Sequence, residues 1–485
     1  MFITLAHRYM IVVSINFILV LRSIGSSVAQ VPDDLNPSPN PLQLPSLPIE
    51  VTIQGTQPIT LQQALALARQ NNSELKFALY QVQRSRAALK EVQSGMYPTV
   101  TLNADLSRAQ SAFSQLSAEQ LQAQLSLTQN VPAGQDESNT TFSGTVQLIY
   151  GLYNYGPGSS SRGVAKEQIS LDELDVKRLS EEIRLNVTLD YYNLQQADEQ
   201  VRIAQSSVEN SEASLRDAIA LERAGVGTRF DVLRSEVNLA NAQQDLSNAF
   251  SQQQIARRRL ATRLNLAQSA NISAADPVKL ASLWQHTLEQ TIISAFQNRP
   301  ELPQRLAERN IARFRQKIAI SRLKPQISLV ADYELEDVLN DGIGVSNGNS
   351  LGVKSTLRLL DGGTAKAQVS QQSIEAKIAE TQFANQLHNI RFEVEQAYFQ
   401  LESNLENVQT ANVALEQAKE ALRLGRLRFQ AGVGTQTDVI NALNDLIKAE
   451  GKRVQAILDY NRALSQLQRA VTARGVYSAS PTYFK

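Results

Sequence analysis

Cysteine is absent from this 485-residue chain, and histidine and tryptophan are scarce. Without cysteine the chain has no disulfide, no thiolate metal site and no thiol nucleophile. The three histidines, His7, His286 and His388, are too scattered for a zinc site or a catalytic triad. The sequence also lacks a P-loop and a nucleophile elbow. It therefore predicts neither an enzyme nor a bound metal or cofactor.

An excess of charge of one sign is missing too. Lysine plus arginine and aspartate plus glutamate both total 47, so the formal net charge is zero. No basic block occurs either. The sequence therefore gives no electrostatic footprint for nucleic acid.

The N-terminal apolar run is short. It extends from Tyr9 to Leu21, 13 residues, whereas a membrane-spanning helix needs about 20. Basic residues precede it and a small-x-small cleavage site at 27–29 follows it, so residues 1–29 are typical of a secretory signal peptide. We expect an exported protein; a buried N-terminal helix is the alternative. Residues 30–58 are rich in proline, which predicts an extended linker, either a spacer or a disordered leader.

Proline is absent between Pro157 and Pro277 and again between Pro325 and Pro481. These stretches predict helices over 164–223 and 366–430, each about 60 residues and roughly 90 Å long. Shorter helices are predicted near 60–96, 229–265, 288–324 and 436–473. Apolar and small residues recur three and four apart along them, the heptad spacing of coiled coils. This seam includes Val201, Ala204, Val208, Ser211, Leu215 and Ala218, and 207 residues later Val408, Ala411, Leu415, Ala418, Leu422 and Gly425.

The chain contains an internal duplication. "AGVGT" begins at Ala224 and again at Ala431, 207 residues later, and "IRLNV" at Ile183 matches "IRFEV" at Ile390 with the same offset. Upstream the offset is 227, as in the match of "LQQALALARQNNSEL" at Leu61, so the first copy has a longer loop between residues 98 and 152. We predict repeat 1 over 59–270, repeat 2 over 271–475 and a tail over 476–485.

Each "AGVGT" predicts the turn of a helical hairpin, at 224–228 and at 431–435. The glycines permit left-handed backbone angles that end the incoming helix. Thr228 and Thr435 then cap the outgoing helices, with Asp231 and Asp438 at the third helical position.

Four segments change from helical to alternating periodicity: about 98–107, 142–151, 325–335 and 350–360. Strands of this length, apolar on one face and polar on the other, are typical of transmembrane barrels. A soluble antiparallel sheet capping a helical bundle is the alternative. In lipid, four strands would leave two open edges, which a bilayer does not tolerate. The membrane interpretation therefore requires an oligomer, with eight strands from two chains or twelve from three.

At this point the sequence resembles the TolC-type outer-membrane efflux protein family. The resemblance lies in "ITLQQALALARQNNSELK" from Ile59, "YPTVTLN" from Tyr97, "LYNYG" and "LLDGG" after the strands, and both "AGVGTxxDV" tips. It implies a mainly α protein with a transmembrane β-barrel: a homotrimer with twelve strands in the outer membrane and a long helical tunnel in the periplasm. It also implies a periplasmic adaptor protein and an inner-membrane RND pump or ABC exporter as partners, in efflux or type I secretion. A periplasmic structural coiled-coil protein is the alternative function.

The resemblance places two candidate sites at the hairpin tips. The adaptor-docking candidates are Gly225, Val226, Gly227, Thr228, Gly432, Val433, Gly434 and Thr435; turn chemistry alone is the alternative explanation. The periplasmic gate candidates are Asp231, Asp438, Arg229, Arg234, Gln436 and Asn441. In three copies the two aspartates would form a ring of carboxylates that favours cations, although helix capping also accounts for them.

Overall fold

The computed structural model of the chain describes residues 44–109 except Gln54, residues 139–154, 157–339 and 344–472, together with 35–37 and a few isolated positions. The predicted signal peptide, the predicted tail and most of the longer loop of repeat 1 lie outside the described residues. The described elements, in chain order, are α1 (Pro48–Val51), β1 (Gln57–Ile59), α2 (Leu61–Asn71), α3 (Ser73–Ser94), β2 (Thr99–Ala109), β3 (Asn139–Asn154), α4 (Pro157–Arg223), α5 (Arg229–Arg263), β4 (Ile272–Ala274), α6 (Leu288–Asn298), α7 (Glu301–Ser321), β5 (Gln326–Val338), β6 (Ser346–Thr356), α8 (Thr364–Gln430) and α9 (Gln436–Val471).

Two helical hairpins dominate the molecule. Helices α4 and α8 have 67 residues each, and they turn back into α5 and α9, of 35 and 36 residues. The predicted seams lie inside these hairpins: Val201 and Ala204 of α4 pack with Ala249 of α5, and Leu422 of α8 packs with Val439 of α9. Small residues between the larger ones let the paired backbones approach closely. In the part of the chain that the structure describes, none of the helices has an apolar stretch that could cross a bilayer.

Two of the four shorter helices differ from their prediction. The segments near 60–96 and 288–324 are not single helices, because each breaks after three turns, at Asn72 and at Arg299. Asn72 adopts an extended backbone, and its side-chain oxygen accepts a hydrogen bond from the Leu75 amide at 2.9 Å to cap α3. Arg299 is extended because Pro300 follows it, and a residue before proline is disfavoured in helical geometry.

Strands β2, β3, β5 and β6 form one antiparallel sheet in that order. Its registers place Val100, Leu148, Ala331 and Leu351 in one row across the sheet. The next row consists of Thr101, Gln147, Asp332 and Ser350. Because side chains alternate between faces, the sheet has one apolar and one polar face. Within the described chain β2 and β6 each have one unpaired edge.

Pairing with the neighbouring strand determines where each strand ends more than the alternation of apolar and polar residues does. Strands β2, β3 and β5 cover the predicted ranges to within three residues at each end, whereas β6 begins and ends four residues earlier than 350–360. The reason is its register against β5, which pairs Gln326 with Thr356 and Glu336 with Ser346. Leu357 and Leu359, which contributed to the alternating pattern, lie beyond the sheet and are exposed.

Three joints connect repeat 1 to repeat 2. In the helical part α4 packs against α7 and α9, with Ile203 buried against Val454 and Leu458. In the large sheet β3 pairs with β5. Between these lies a small parallel sheet of β1 and β4. Long helix α8 occupies the position in repeat 2 that α4 has in repeat 1, but it packs extensively only against α6, α7 and α9 of its own repeat, as far as the described residues show.

A buried ionic cluster fixes the break between α6 and α7. Arg299 is only 3% exposed; its Nε lies 3.0 Å from Glu301 Oε2 and its Nη1 lies 2.7 Å from Glu393 Oε2. Arg469 Nη2 of α9 lies 3.0 Å from Glu301 Oε1. Burial alone would raise the pKa of Glu301, but the two guanidinium groups more than offset it, so this pKa lies below its usual value.

We expect Arg299→Met to destabilise the helical part by about 2 kcal/mol, because the buried Glu301 carboxylate loses one of its two guanidinium partners. Chemical unfolding of the detergent-solubilised protein, followed by circular dichroism, measures this. Arg391→Met is the control, because its pair with Glu395 is exposed and is worth at most about 0.5 kcal/mol.

The Glu301 contribution also depends on pH. Since its folded pKa is lowered, its stabilisation is fully present above the unfolded pKa of about 4.5 and is lost as pH falls through the folded pKa. An Arg299→Met difference that persisted undiminished in strong acid would contradict this assignment.

Candidate functional site

The two hairpin tips have the same backbone geometry. Gly225 and Gly432 have φ of +76° and +72°, in the left-handed region. In the first tip the amides of Val226 and Gly227 both donate to the Leu221 carbonyl, at 3.1 and 2.9 Å. In the second tip Val433 and Gly434 make the same two hydrogen bonds to the Arg428 carbonyl, both at 3.0 Å. This arrangement satisfies the last carbonyls of each incoming helix.

The second glycine of each tip is required for a different reason. A Cβ on Gly227 would lie 2.9 Å from the Glu222 backbone nitrogen, and a Cβ on Gly434 would lie 3.0 Å from Arg428 Cβ. Any side chain there would collide with the last turn of the incoming helix. The geometry of the turn therefore explains all four glycines, and a docking partner is not needed to explain them.

Threonine and aspartate form reciprocal caps at the start of each outgoing helix. Thr228 Oγ1 accepts from the Asp231 amide at 3.2 Å, and Asp231 Oδ2 accepts from the Thr228 amide at 3.2 Å. Thr435 and Asp438 repeat this at 3.2 and 3.0 Å. The bond from the Thr435 amide, and then its hydroxyl, lowers the pKa of Asp438. Both predicted gate carboxylates therefore act as helix caps.

The side chains of the two apex valines have no role in the turn. Val226 and Val433 are 75% and 69% exposed, and each stands between two glycines at the far end of its hairpin. An apolar side chain held in water by a rigid turn is available for a partner. These valines are therefore the docking candidates that folding does not explain.

Polar contacts link the first hairpin to the second near the tips. Gln436 is only 2% exposed. Its Nε2 donates to Ser214 Oγ of α4 at 2.6 Å and to Ser235 Oγ of α5 at 3.1 Å. Its Oε1 is buried and has no hydrogen-bond partner among the described residues. One amide thus joins three helices from both repeats.

Two arginines add further links between the hairpins. Arg234 Nη1 donates to Thr437 Oγ1 at 2.6 Å. Farther from the tip along α4, Asn210 Oδ1 accepts a hydrogen bond from Arg426 Nη2 at 2.7 Å. In the described residues none of these links is an ion pair; every acceptor is neutral. Of the predicted gate residues, Gln436 and Arg234 lie at the joint, whereas Arg229 and Asn441 are exposed.

The sequence prediction missed the partners of these links: Ser214, Thr437, Asn210 and Arg426. Serine at or beside seam positions near a tip was the available signal, since a small polar residue there leaves room and a hydroxyl for a neighbouring helix. Among the described residues, no group of three or more histidine, aspartate or glutamate side chains could hold a metal ion.

Comparisons with known proteins agree with this fold. The sequence model of the family described as "Outer membrane efflux protein" matches residues 64–266 and 291–473, one range within each predicted repeat. This chain belongs to the outer membrane efflux protein family. The resemblance seen in the sequence is thereby confirmed, including the outer membrane as its location and a family of channels rather than enzymes.

Two relatives of this outer membrane efflux protein are similar over much of their length. One is the pyoverdine export outer membrane protein OpmQ of Pseudomonas putida, 23% identical, with 87% of each chain covered. The other is the outer membrane efflux protein BepC of Brucella suis, 22% identical over 65% of this chain and 69% of the relative.

Solved structures share the fold. The CmeC outer membrane channel of Campylobacter jejuni aligns with a TM-score of 0.71 at 16% identity, covering 90% of this chain and 94% of CmeC. The outer membrane protein VceC of Vibrio cholerae aligns with a TM-score of 0.69 at 15% identity, covering 85% and 95%. The duplicated arrangement of long hairpins and a four-stranded sheet is therefore a known architecture.

Proposed function

We propose that this protein is the passive exit duct of a tripartite efflux or type I secretion system. Three copies form a twelve-stranded barrel in the outer membrane, continued by a helical tunnel in the periplasm. The observation that carries the proposal is a four-stranded sheet with one apolar face and two free edges, joined to two long hairpins. In lipid those edges need partners, and further copies of the same sheet supply them.

The second face of α8 supports a ring of copies. Its buried seam packs on α9, but on the opposite side of the helix a set of exposed apolar side chains recurs at multiples of seven residues. This set, the outer stripe of α8, consists of Ile378, Phe392, Phe399, Val413 and Leu427. Heptad spacing is the signature of a second helix packing alongside, and none of the described helices provides it there.

The duplication indicates which surface covers the outer stripe. Inside the chain α4 of repeat 1 packs against α7 and α9 of repeat 2. If that joint repeats between chains, α8 of one copy packs against α3 and α5 of the next. A head-to-tail contact of this kind closes into a ring.

Burial at equivalent positions supports the repeated joint. Ile440 of α9 is buried, and its equivalent 207 residues earlier is exposed Leu233 of α5. Buried Ala307 of α7 corresponds, 227 residues earlier, to exposed Tyr80 of α3. Apolar side chains thus occupy the equivalent surface without a cover in the isolated chain.

The tips fit docking to a periplasmic adaptor protein, which would connect the duct to an inner-membrane RND pump or ABC exporter. The exposed apex valines support this role, and they lie at the end of each hairpin farthest from the sheet. OpmQ, named as a pyoverdine export protein, supports export as the function. The links made by Gln436 and Arg234 would hold the periplasmic entrance closed.

In the proposed barrel the polar face of the sheet lines the pore. Asp105, Asp332, Glu334 and Glu336 share that face, and their cross-strand neighbours are uncharged. Lys354 shares the face at the end near the helices. The pore wall of the described strands is therefore acidic, and an acidic wall favours cations.

We expect Val433→Asp, and more strongly the double variant with Val226→Asp, to abolish export, because a buried charge at the adaptor contact is costly. Adaptor capture on the purified protein and an export assay in cells measure this. Val433→Ile is the matched control and retains both activities. These changes spare the glycines, so loss of the oligomer in Val433→Asp would show that the apex serves folding and not docking.

We expect the double variant Gln436→Leu with Arg234→Leu to increase channel conductance severalfold, because it removes the polar links between the hairpins. Planar-bilayer recording of the purified protein measures this, and Arg391→Leu, an exposed change far from the tips, is the control. Unchanged conductance would remove these residues from the gate. Absence of discrete channels in wild type and variant alike would overturn the proposed duct.

We expect Glu334→Gln to reduce the preference for cations, because it removes one carboxylate per copy from the pore wall. The reversal potential in a salt gradient measures the preference. Asp337→Asn is the control, since Asp337 points to the other face of the same strand. Equal shifts in both variants would show that the assigned pore face is incorrect.

A further inference from the structure

The segment before repeat 1 returns to the body of the protein at two points. Leu35 is 2% exposed and belongs to the core of repeat 1; its carbonyl accepts from the Ala267 amide at 3.2 Å. Asn71 Nδ2 also donates to Asn36 Oδ1 at 3.1 Å. At the other end β1 pairs with β4, and Asn271 Nδ2 donates to Thr56 Oγ1 at 2.8 Å. The described residues 44–53 lie in the chain between these two anchors on repeat 1.

Between the anchors lies the N-terminal strap, residues 44–53. It has local order of its own: Glu50 Oε2 accepts from the Ser46 and Leu47 amides at 2.7 and 3.1 Å, and Thr52 Oγ1 donates to the Pro48 carbonyl at 2.7 Å. Its apolar side chains are nevertheless exposed: Leu44, Leu47, Ile49, Val51 and Ile53. An ordered segment with an uncovered apolar surface of this size requires a partner.

Repeat 2 contains a counterpart to the strap. Residues 49–53 of the strap precede the Thr60 cap of α2 with the same spacing as residues 276–280 precede the Thr287 cap of α6, and the counterpart continues to residue 284. The counterpart lies across the joint between the repeats. On the repeat 1 side, Asp276 Oδ2 accepts from Tyr191 OH at 2.8 Å and from the Leu61 amide at 2.7 Å.

On the repeat 2 side, Asn461 of α9 binds the same segment. Its Oδ1 accepts from the Ala281 amide at 2.9 Å, and its Nδ2 donates to the Lys279 carbonyl at 2.8 Å. Between the two sides Val278 and Tyr192 both pack against the buried cluster of Ile203, Val454 and Leu458. Residues 276–284 therefore clasp α4 of repeat 1 to α9 of repeat 2.

We propose that the N-terminal strap is the same clasp between two copies of the chain, packing its apolar side chains on α8 of the neighbour. This rests on the proposed ring, in which α8 takes the place of α4 at the joint between chains. Val51 stands 227 residues before Val278, and both are valine. The equivalent of Tyr192 on α8 is Phe399, which is exposed and lies in the outer stripe.

The strap also lies on the correct side of its own repeat. Ile53 lines an open cleft with Gln254, Ile255 and Arg258 of α5. Gln254 is the equivalent, 207 residues earlier, of Asn461, which binds the counterpart in repeat 2. The strap thus rests on the α5 surface that faces the neighbouring copy in the proposed ring.

Cysteine crosslinking tests the clasp cleanly, because the natural chain contains no cysteine. Chains carrying Val51→Cys and chains carrying Phe399→Cys are coexpressed and treated with a short bismaleimide in the membrane. We expect covalent heterodimers of the two chain types. Ile374→Cys replaces Phe399→Cys in the control, since it is an exposed apolar position on the same helix roughly 38 Å further along at 1.5 Å per residue.

Light scattering of the same detergent-solubilised protein separates the possible failures. Crosslinked heterodimers from an oligomer, with none in the control, support the clasp. A second outcome is an oligomer without crosslinks in which the thiol of the Val51→Cys chain reacts with maleimide as fast as in the unfolded chain. This outcome overturns the clasp but does not contradict the proposed duct. Equal crosslinking at both positions on α8 also overturns it. A monomer overturns the proposed ring, and the clasp with it.

Discussion

The rest of the structure depends on the unpaired backbone at the two edges of one sheet. Strands β2 and β6 each have amides and carbonyls along one side that find no partner in the described chain. In water such an edge is a risk of aggregation, but in the hydrocarbon of a membrane each unsatisfied group costs several kcal/mol. An outer-membrane location therefore makes the single chain an incomplete unit. In the proposed ring, the helices that continue from these strands are arranged around the same axis as the sheet.

The internal duplication indicates how further copies complete this unit. A chain made of two similar units already contains one finished joint, between α4 and the helices α7 and α9 of repeat 2. In the proposed ring, the outer stripe of α8 and the exposed Leu233 of α5 are the two halves of a joint of the same kind between chains. The two joints differ in chemistry near the tips because the repeats have diverged. There the joint within the chain is polar, whereas the equivalent surface of α5 exposes the apolar Phe230 and Leu233.

Much of this fold could be predicted from local signals. Heptad spacing gave the hairpin seams, and the glycines and threonines gave the turns, because each of these features depends on neighbours within a few residues. The break at Asn72 was missed because its cause, a side-chain cap on α3, competes with an otherwise continuous helical pattern. The contact of Gln436 with Ser214 could not be predicted, since it joins residues 222 apart in sequence. Likewise β6 takes its bounds from its pairing with β5.

The contrast between the two joints determines how the proposed entrance opens. Parting the hairpins of one chain breaks the neutral hydrogen bonds of Gln436, Arg234 and Arg426, each worth about 0.5–1.5 kcal/mol net because water replaces the lost partner. At the joint between chains the equivalent of Gln436 is exposed Arg229, and that of Thr437 is exposed Phe230. Separating apolar side chains there would cost about 1.5–3 kcal/mol for each one returned to water. Opening is therefore easier within each chain than between chains, so the ring can widen at its tips while the copies remain associated.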